Sequence, residues 1–378
     1  MTQSTPITVR VPKHLHWDCG SCGDCCRNFV LGPVAPAVIQ RLEHADIESL
    51  WPLAKSNGWF DVRTDPDGTE AYFLRPADHG GCVFLQPDNL CSIHARLGAE
   101  YKPSFCQEYP YHGVLSKNVL TITARPDCSN FHESFDKGTP IEDCIDTFVA
   151  LKRPYGLTQA NHLQIPLIPG VAISSANWTG LEADILDALN TTPRTPEQSN
   201  HVIRTLIREE VGGTWPGADA ARAGQLRTAL VQMLINALSH GLSQPTEDTP
   251  NTRKMKAILS ESLATLNGIV PALSNDLPPM TERAQAYLDI ILRSQLMSKT
   301  TLSYGPLSAG LGLHLFATVV VRLAASTNAG PVDAKSLGSH YAPFARFLLN
   351  GVVQRLLTQA SDGLTELFLI TPTEPRHA

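Results

Sequence analysis

The distribution of cysteine constrains this chain more than any other feature of its sequence. The chain has 378 residues and nine cysteines, and all nine lie between Cys19 and Cys144. Four of them fall within eight residues, in the run Cys19-Gly-Ser-Cys22-Gly-Asp-Cys25-Cys26. A Cys-x-x-Cys turn places two sulfurs where a single metal ion can bind both of them. The sequence therefore predicts a thiolate-ligated metal site in the first part of the chain.

The amino-terminal sequence predicts the cellular compartment, and the compartment predicts whether these cysteines are reduced. Residues 1–18 lack the apolar segment of a secretory signal peptide, which predicts a cytoplasmic protein. Thiols stay reduced in the cytoplasm, so we expect the cysteines to bind metal or to react as thiols, and not to form disulfides.

Four cysteines further along the chain complete the predicted ligand set. Cys82 and Cys91 lie on either side of a short turn, and Cys106 and Cys128 follow. Eight thiolates are enough for two four-ligand sites, or for one cluster with thiols to spare. The predicted metal ligands are Cys19, Cys22, Cys25, Cys26, Cys82, Cys91, Cys106 and Cys128.

Two residues close to this set have other predicted roles. Cys144 shares a predicted helical face with Ile141 and Phe148, which indicates that it lies in the core and does not bind metal. His94 follows Cys91 by three residues and is the one histidine whose position suits a metal ligand.

Both zinc and iron–sulfur centres fit such a ligand set, because four thiolates in a tetrahedron bind either of them. The adjacent Cys25 and Cys26 favour an iron–sulfur cluster. Neighbouring side chains diverge, so they reach two irons of one cluster more easily than they reach one ion. An iron–sulfur cluster or zinc is therefore the predicted cofactor.

Composition divides the chain into two parts. Residues 1–150 are rich in Gly, Pro and Cys, residues 151–169 have the prolines and glycines of a linker, and residues 170–378 show helical periodicity. This organisation predicts an α+β fold. A small cysteine-rich metal-binding domain with short β-hairpins is expected to precede a mostly α-helical domain.

Two β-hairpins are predicted in the first part. The turn at residues 86–89 has Pro at a favoured position and separates Cys82 from Cys91, so each of these cysteines is expected on one strand. A second hairpin is predicted around residues 116–118.

Helical signals are strongest in the second part. Apolar residues at positions 226, 230, 234 and 238 form one stripe, and a similar stripe over residues 344–356 predicts another helix. The uncharged residues 307–321 are too few to span a membrane, so a buried core helix is predicted there. In the first part, Thr139, Pro140 and Glu142 form a predicted capping box at the start of a helix.

The charge balance excludes some classes of function. The net charge is −6 at pH 7, so the chain lacks the basic excess of a general nucleic-acid binder. The sequence also contains no P-loop, HExxH or GxSxG motif. A protein substrate or partner, bound by the helical domain, is the expected partner instead of nucleic acid.

The cysteine motifs follow one another in a specific order over roughly residues 15–130. Cys-x2-Cys-x2-Cys-Cys precedes Cys82-x-x-Leu85, Cys91-x-Ile93 and Lys102-Pro103-x-x-Cys106-x-x-Tyr109-Pro110. This order resembles the YkgJ-type cysteine-cluster family, which is described as a zinc- or iron-chelating domain. The resemblance implies that these cysteines hold a metal, and Cys128 is similar in position to a further family cysteine.

The chain departs from the family pattern at positions beside the cysteines. His94 stands where the family usually has Tyr, and Lys102 and Gln107 stand where it has Arg. Ser129 and Asn130 replace a Pro-Gly pair. The thiol set itself is retained, so the departures concern the surroundings of the metal.

A weaker likeness extends to the second part. Ala286-Tyr287-Leu288, Arg293 and the apolar helix from about Leu307 are similar to a later segment of flagellin lysine-N-methylases. Those enzymes join a related cysteine cluster to a helical domain. The likeness implies, as an alternative function, S-adenosylmethionine-dependent methyl transfer to a protein lysine.

Three functions are therefore considered. The first is a metal-binding protein that holds one or two thiolate-ligated centres, either redox-active or structural. The second is the methylase-like enzyme. The third is a thiol–disulfide or metal-trafficking protein whose cysteines exchange partners.

Overall fold

A computed structural model confirms the predicted α+β class. Strands and mostly short helices make up the chain as far as residue 174, and longer helices predominate from Ser175 onward. The structure describes residues 7–64, 68–78, 80–146, 148, 158–159, 162–190, 194–246, 248–273, 276–326 and 330–373.

The elements are numbered in chain order. The strands are β1 (Thr8–Arg10), β2 (Phe60–Thr64), β3 (Glu70–Leu74), β4 (Tyr111–Ser116), β5 (Val119–Ala124), β6 (Thr158–Gln159), β7 (Gln164–Ile168) and β8 (Val171–Ser174). The helices of the first part are α1 (Asp24–Arg27), α2 (Pro36–His44), α3 (Ile47–Leu50), α4 (Pro52–Asn57), α5 (Ser92–Leu97), α6 (Ser104–Glu108) and α7 (Phe131–Ser134). Those of the second part are α8 (Ser175–Leu189), α9 (Pro196–Val211), α10 (Ala220–Ser243), α11 (Pro250–Ile269), α12 (Glu282–Met297), α13 (Leu307–Ala325), α14 (Ala334–Leu348), α15 (Gly351–Gln359) and α16 (Ser361–Ile370).

The first part is built on a four-stranded sheet with the order β1-β5-β4-β6. β4 and β5 form the hairpin predicted around residues 116–118, with Ser116 opposite Val119. Lys117 makes this tight connection in the left-handed region, at φ 55°. β1 and β6 flank the hairpin as parallel strands, and β2 pairs with β3 in a separate antiparallel hairpin.

The sheet and the helices of the second part share one apolar core. Leu120 of β5 belongs to the same buried cluster as Tyr287 of α12 and Phe316 of α13. An ion pair joins the segment after α7 to α12: the Arg283 guanidinium donates to both carboxylate oxygens of Asp136, at 2.8 and 2.9 Å. The segment that follows Cys128 is thereby fixed against the helices.

The division into residues 1–150, 151–169 and 170–378 stays a prediction. β6 and β7 lie within the segment that the sequence predicts as a linker. Ile165 of β7 is fully buried in one apolar cluster with Trp178 of α8.

α13 is the central helix of the second part, and the predicted buried core helix is confirmed. Among the described helices it alone has the length and apolar composition to cross a membrane, yet 89% of its most apolar window is buried inside the protein. Gly310 and Gly312 bring it against the backbone of Thr301 and Leu364, where a Cβ would overlap the carbonyl oxygens. Close packing explains these glycines.

The predicted hairpin around residues 86–89 is wrong. Leu85 and Cys91 form one isolated antiparallel bridge, and α5 begins at the next residue. Ser92 and Ile93 are both buried, whereas successive residues of a half-buried strand point to opposite faces. A helical turn buries both side chains, so it replaces the second strand.

The predicted capping box at Thr139 is also wrong. The Thr139 hydroxyl donates to Asp18 Oδ1 at 2.7 Å, and the Thr139 N–H donates to the same oxygen. The segment Ile141–Cys144 is a 3-10 turn without a side-chain cap. Asp18 therefore engages the residue that the sequence assigns to the cap.

The apolar stripe over residues 344–356 belongs to two helices and not to one. α14 ends at Leu348, and the Asn350 side chain accepts hydrogen bonds from the N–H groups of Val352 and Val353 as the cap of α15. The stripe at positions 226, 230, 234 and 238 is confirmed as the buried face of α10.

The close contact at Gly312 yields a stability prediction. Gly312→Ala is expected to destabilise the protein by about 1–3 kcal/mol, because the new methyl group overlaps the Leu364 carbonyl. Gly268→Ala in α11 is the matched control, since a Cβ there meets open space and Ala favours a helix by about 1 kcal/mol. Urea unfolding of both variants measures the difference. Equal stability of the two variants would contradict the packing argument.

Candidate metal centre

All eight predicted ligand cysteines line a single cavity of about 340 Å³. They reach it from the loop and helix at Cys19–Cys26, from the turns at Cys82 and Cys91, from α6 at Cys106 and from the loop before α7 at Cys128. The structure thus brings together sulfurs from positions as far apart in sequence as Cys19 and Cys128. Their role as ligands stays a prediction.

The backbone of the first cysteine run curls around the cavity. Ser21 and Gly23 both adopt positive φ, at 49° and 72°. α1 follows as one turn, and the Arg27 guanidinium donates to the Cys22 carbonyl at 2.6 Å. Gly20 packs so closely against Asn130 that a side chain there would overlap it. These conformations allow all four cysteines of the run to line the cavity.

The carbonyl oxygen of Cys26 connects the first cysteine run to two distant parts of the chain. The Cys82 N–H donates to it at 3.0 Å, which places Cys82 directly beside the run. The Lys254 ammonium group, on α11, donates to it at 3.1 Å. The second part of the chain therefore contributes a cation to the cysteine site.

The thiols fall into two groups according to which of them affect one another electrostatically. Burial raises the pKa of Cys106 well above its ordinary value, and the nearby Cys82, Cys91 and Cys25 thiols raise it further. Burial also raises the pKa of Cys128 to about 11, with a smaller contribution from Cys22. We define the inner group as Cys25, Cys26, Cys82, Cys91 and Cys106, and the outer group as Cys19, Cys22 and Cys128; Cys22 connects the two groups, because both Cys25 and Cys19 raise its pKa after burial has done so.

Two members of the inner group share a hydrogen bond. The Cys26 thiol donates to the Cys25 sulfur, which raises the pKa of Cys26 and lowers that of Cys25. Cys82 is buried, and burial raises its pKa to about 12. Cys25 therefore ionises more readily than Cys26 and Cys82, which keep their protons until a metal displaces them.

Two lysines supply positive charge to the inner group. Lys102 lines the cavity and lowers the pKa of Cys25, after the larger effect of Cys26. Burial lowers the pKa of Lys254 to about 8, and the neighbouring Cys82 and Cys26 oppose that shift. A four-thiolate centre carries net negative charge, so both cations favour a metal-bound state.

The donor set fits a thiophilic metal. Soft thiolates select zinc, copper(I) and iron–sulfur clusters. The buried Trp17 indole N–H faces Cys128 and lowers the pKa of that cysteine by stabilising its thiolate, after burial has raised it. A thiolate would satisfy this N–H. Among the described residues, no group of three or more His, Cys, Asp or Glu side chains is placed so that it could hold one metal ion.

His94 and Cys144 lie differently from the predicted ligands. His94 lines the cavity but its side chain is exposed, so it borders the site and lies outside the inner group. Cys144 is half-buried, does not line the cavity, and forms a hydrogen bond with the Tyr111 hydroxyl.

Sequence reasoning missed two charged residues of the site. Arg125 lines the cavity, pairs with the buried Asp127 at 2.5 Å and stacks on the Tyr109 ring at 5.3 Å. Arg125 and Asp127 flank Pro126 immediately before Cys128, and that charged pair is a signal that could have indicated Arg125. Lys254 has no comparable signal, because nothing in its local sequence relates it to the cysteines.

Comparison with known protein families finds a match in the part of the chain that contains the eight cysteines. Residues 18–133 match the model of a family described as "CxxCxxCC: Putative zinc- or iron-chelating domain". The family resemblance predicted from the motifs is confirmed over these residues, and zinc or iron chelation is the function this family suggests. No curated protein and no solved structure matches the chain, and the resemblance to flagellin methylases has no support.

The lysine on α11 yields a prediction about metal retention. Lys254→Met is expected to weaken metal binding about tenfold or more, because it removes a buried cation beside Cys26 and Cys82. Titration of the metal-loaded protein with a competing chelator measures the change.

Lys256→Met on the same helix is the matched control and should retain the metal as the wild type does. Lys254→Arg restores the charge and should recover part of the affinity. Equal chelator resistance in Lys254→Met and Lys256→Met would show that Lys254 has no electrostatic role.

Proposed function

We propose that this protein binds a thiolate-ligated metal centre through the cysteines of its first part. The observation that carries the proposal is the convergence of eight cysteines, from separate segments, on one cavity. Free cysteines often serve as small core residues, yet Cys19 and Cys22 are exposed and four others are half-buried. Packing alone does not explain why partly exposed thiols meet at one place. The proposal requires reduced thiols, and hence a compartment such as the cytoplasm.

An iron–sulfur cluster suits the inner group better than a single zinc ion does. The inner group has five thiols, and both a zinc site and an iron–sulfur cluster take four thiolate ligands, so the number of thiols does not decide between them and the arrangement of the thiols does. Consecutive Cys25 and Cys26 also lie together in this group, and a cluster offers them separate iron atoms. The cations Lys102 and Lys254 would offset the negative charge of the cluster and favour its reduced form.

Metal transfer is a second candidate, and the exposure of the outer group favours it. Cys19 and Cys22 are exposed, whereas Cys82 of the inner group is buried. Exposed thiolates can take a metal from a donor and pass it inward by ligand exchange. No comparison supports the methylase-like alternative, and a protein partner of the helical part stays a prediction.

Metal analysis of the anaerobically purified full chain tests the proposed centre. We expect iron and acid-labile sulfide with visible absorption, and a loss of most of the metal in Cys26→Ser and Cys106→Ser. Cys144→Ser is the matched control and should keep the wild-type content. A colourless protein that contains stoichiometric zinc would show that the centre is a zinc site and not an iron–sulfur cluster. Wild-type protein that binds neither metal after reconstitution would overturn the proposal.

Metal removal is expected to loosen the first part of the chain selectively. Structural thiolate sites contribute free energy comparable to the stability of a domain, about 10–16 kcal/mol for zinc. Chelation should therefore increase hydrogen exchange around Cys26, Cys82 and Cys91. Exchange in the buried α13 should change little, which provides an internal control. Unchanged exchange around the cysteines would mean that the centre does not support the fold.

A further inference from the structure

A second cavity, of about 500 Å³, lies between the β4–β5 hairpin and the helices of the second part. His112 and Thr123 line it from the hairpin, and Gln295, His314 and Tyr341 line it from α12, α13 and α14. Its size falls within the range of roughly 300–1,000 Å³ typical of small-molecule sites. The metal proposal makes no use of this cavity.

Two buried hydroxyl groups in the cavity wall lack partners. Ser294 and Thr301 are 3% and 4% exposed, and neither hydroxyl has a hydrogen-bond partner in the described ranges. Both residues line the cavity. Buried hydroxyls are nearly always hydrogen-bonded in folded proteins. The two groups therefore indicate a polar occupant.

The charged side chains that line the cavity indicate which sign of charge a bound molecule would carry. Arg125 is neutralised by Asp127. Burial lowers the pKa of His314 to about 4, so its ring is neutral, and it contacts Gln295 Oε1 at 3.0 Å. Lys299 lines the cavity and has no ion pair within the described part of the chain. A single negative charge on the occupant would complement it.

Part of the cavity wall is apolar. Leu313 and Ala317 of α13 and Ala345 and Leu348 of α14 form it. Burial of a hydrocarbon group against this wall would contribute favourable binding free energy, whereas an inorganic anion has no apolar surface to bury. One unpaired lysine also suits a monoanion better than a phosphate dianion, which commonly recruits an arginine fork or several backbone N–H groups.

We propose that this second cavity binds a small amphipathic carboxylic acid, with its carboxylate at Lys299 and the hydroxyls of Ser294 and Thr301, and its hydrocarbon chain against α13 and α14. The proposal rests on the lining residues and does not depend on the metal centre. Inorganic phosphate and neutral alcohols are the competing ligands that the test distinguishes.

Calorimetric titration of the metal-loaded full chain with butyrate, hexanoate and octanoate tests the proposal. Affinity should rise roughly tenfold for each two methylene groups, as expected for hydrocarbon burial. Octanol should bind at least about tenfold more weakly than octanoate, because it lacks the charge. Phosphate should show no binding. Absence of octanoate binding, or phosphate binding alone, would overturn the proposal.

Three variants locate the binding. Lys299→Met should weaken octanoate binding by about tenfold or more, and it should bind octanol as the wild type does. Lys335→Met, at an exposed position outside the cavity lining, is the matched control and should bind octanoate normally. Ala317→Leu, which fills the apolar wall, should block octanoate at unchanged metal content. Undiminished octanoate binding in both Lys299→Met and Ala317→Leu would place the ligand elsewhere and refute the proposed site.

Discussion

The carbonyl oxygen of Cys26 accepts hydrogen bonds from the Cys82 N–H and from the Lys254 ammonium group. These two bonds join three regions that are remote in sequence, and the cysteine cavity depends on both. The first bond aligns the segment of Cys82 with the amino-terminal cysteine run. The second fixes α11 beside that run, so the helical part helps to build the site. Because a buried carbonyl without a partner is costly, this junction also stabilises the fold around it.

The cysteine cavity could be predicted from the sequence because its chemistry is concentrated in one residue type. Cys19 and Cys106 belong to one predicted set, and the structure brings both to the same cavity. Lys254 could not be predicted, since it lies 228 residues from Cys26 and its helix has no unusual local pattern. Residues that act through tertiary contact alone leave no periodicity or spacing in the sequence.

Local structure was predicted correctly where the sequence contained one signal, and the prediction failed where two signals competed. The β4–β5 hairpin has a clear turn between two apolar segments, and it formed as expected. At Ser92 and Ile93 the demand to bury adjacent side chains prevailed over the turn signal. At residue 350 the capping preference of asparagine divided an apolar stripe into α14 and α15. In each failure a tertiary or capping contact outweighed the simpler pattern.

Arg125 borders both cavities, so one guanidinium group, held by Asp127, forms a partition between a sulfur-lined chamber and a hydroxyl-lined one. An occupant of either chamber that displaces this pair alters the free energy of filling the other. By thermodynamic linkage, a ligand in the first cavity changes the binding free energy in the second by the same amount as a ligand in the second changes it in the first. The two chambers thus have this wall residue in common, and any coupling between their occupants would act through the Arg125–Asp127 pair.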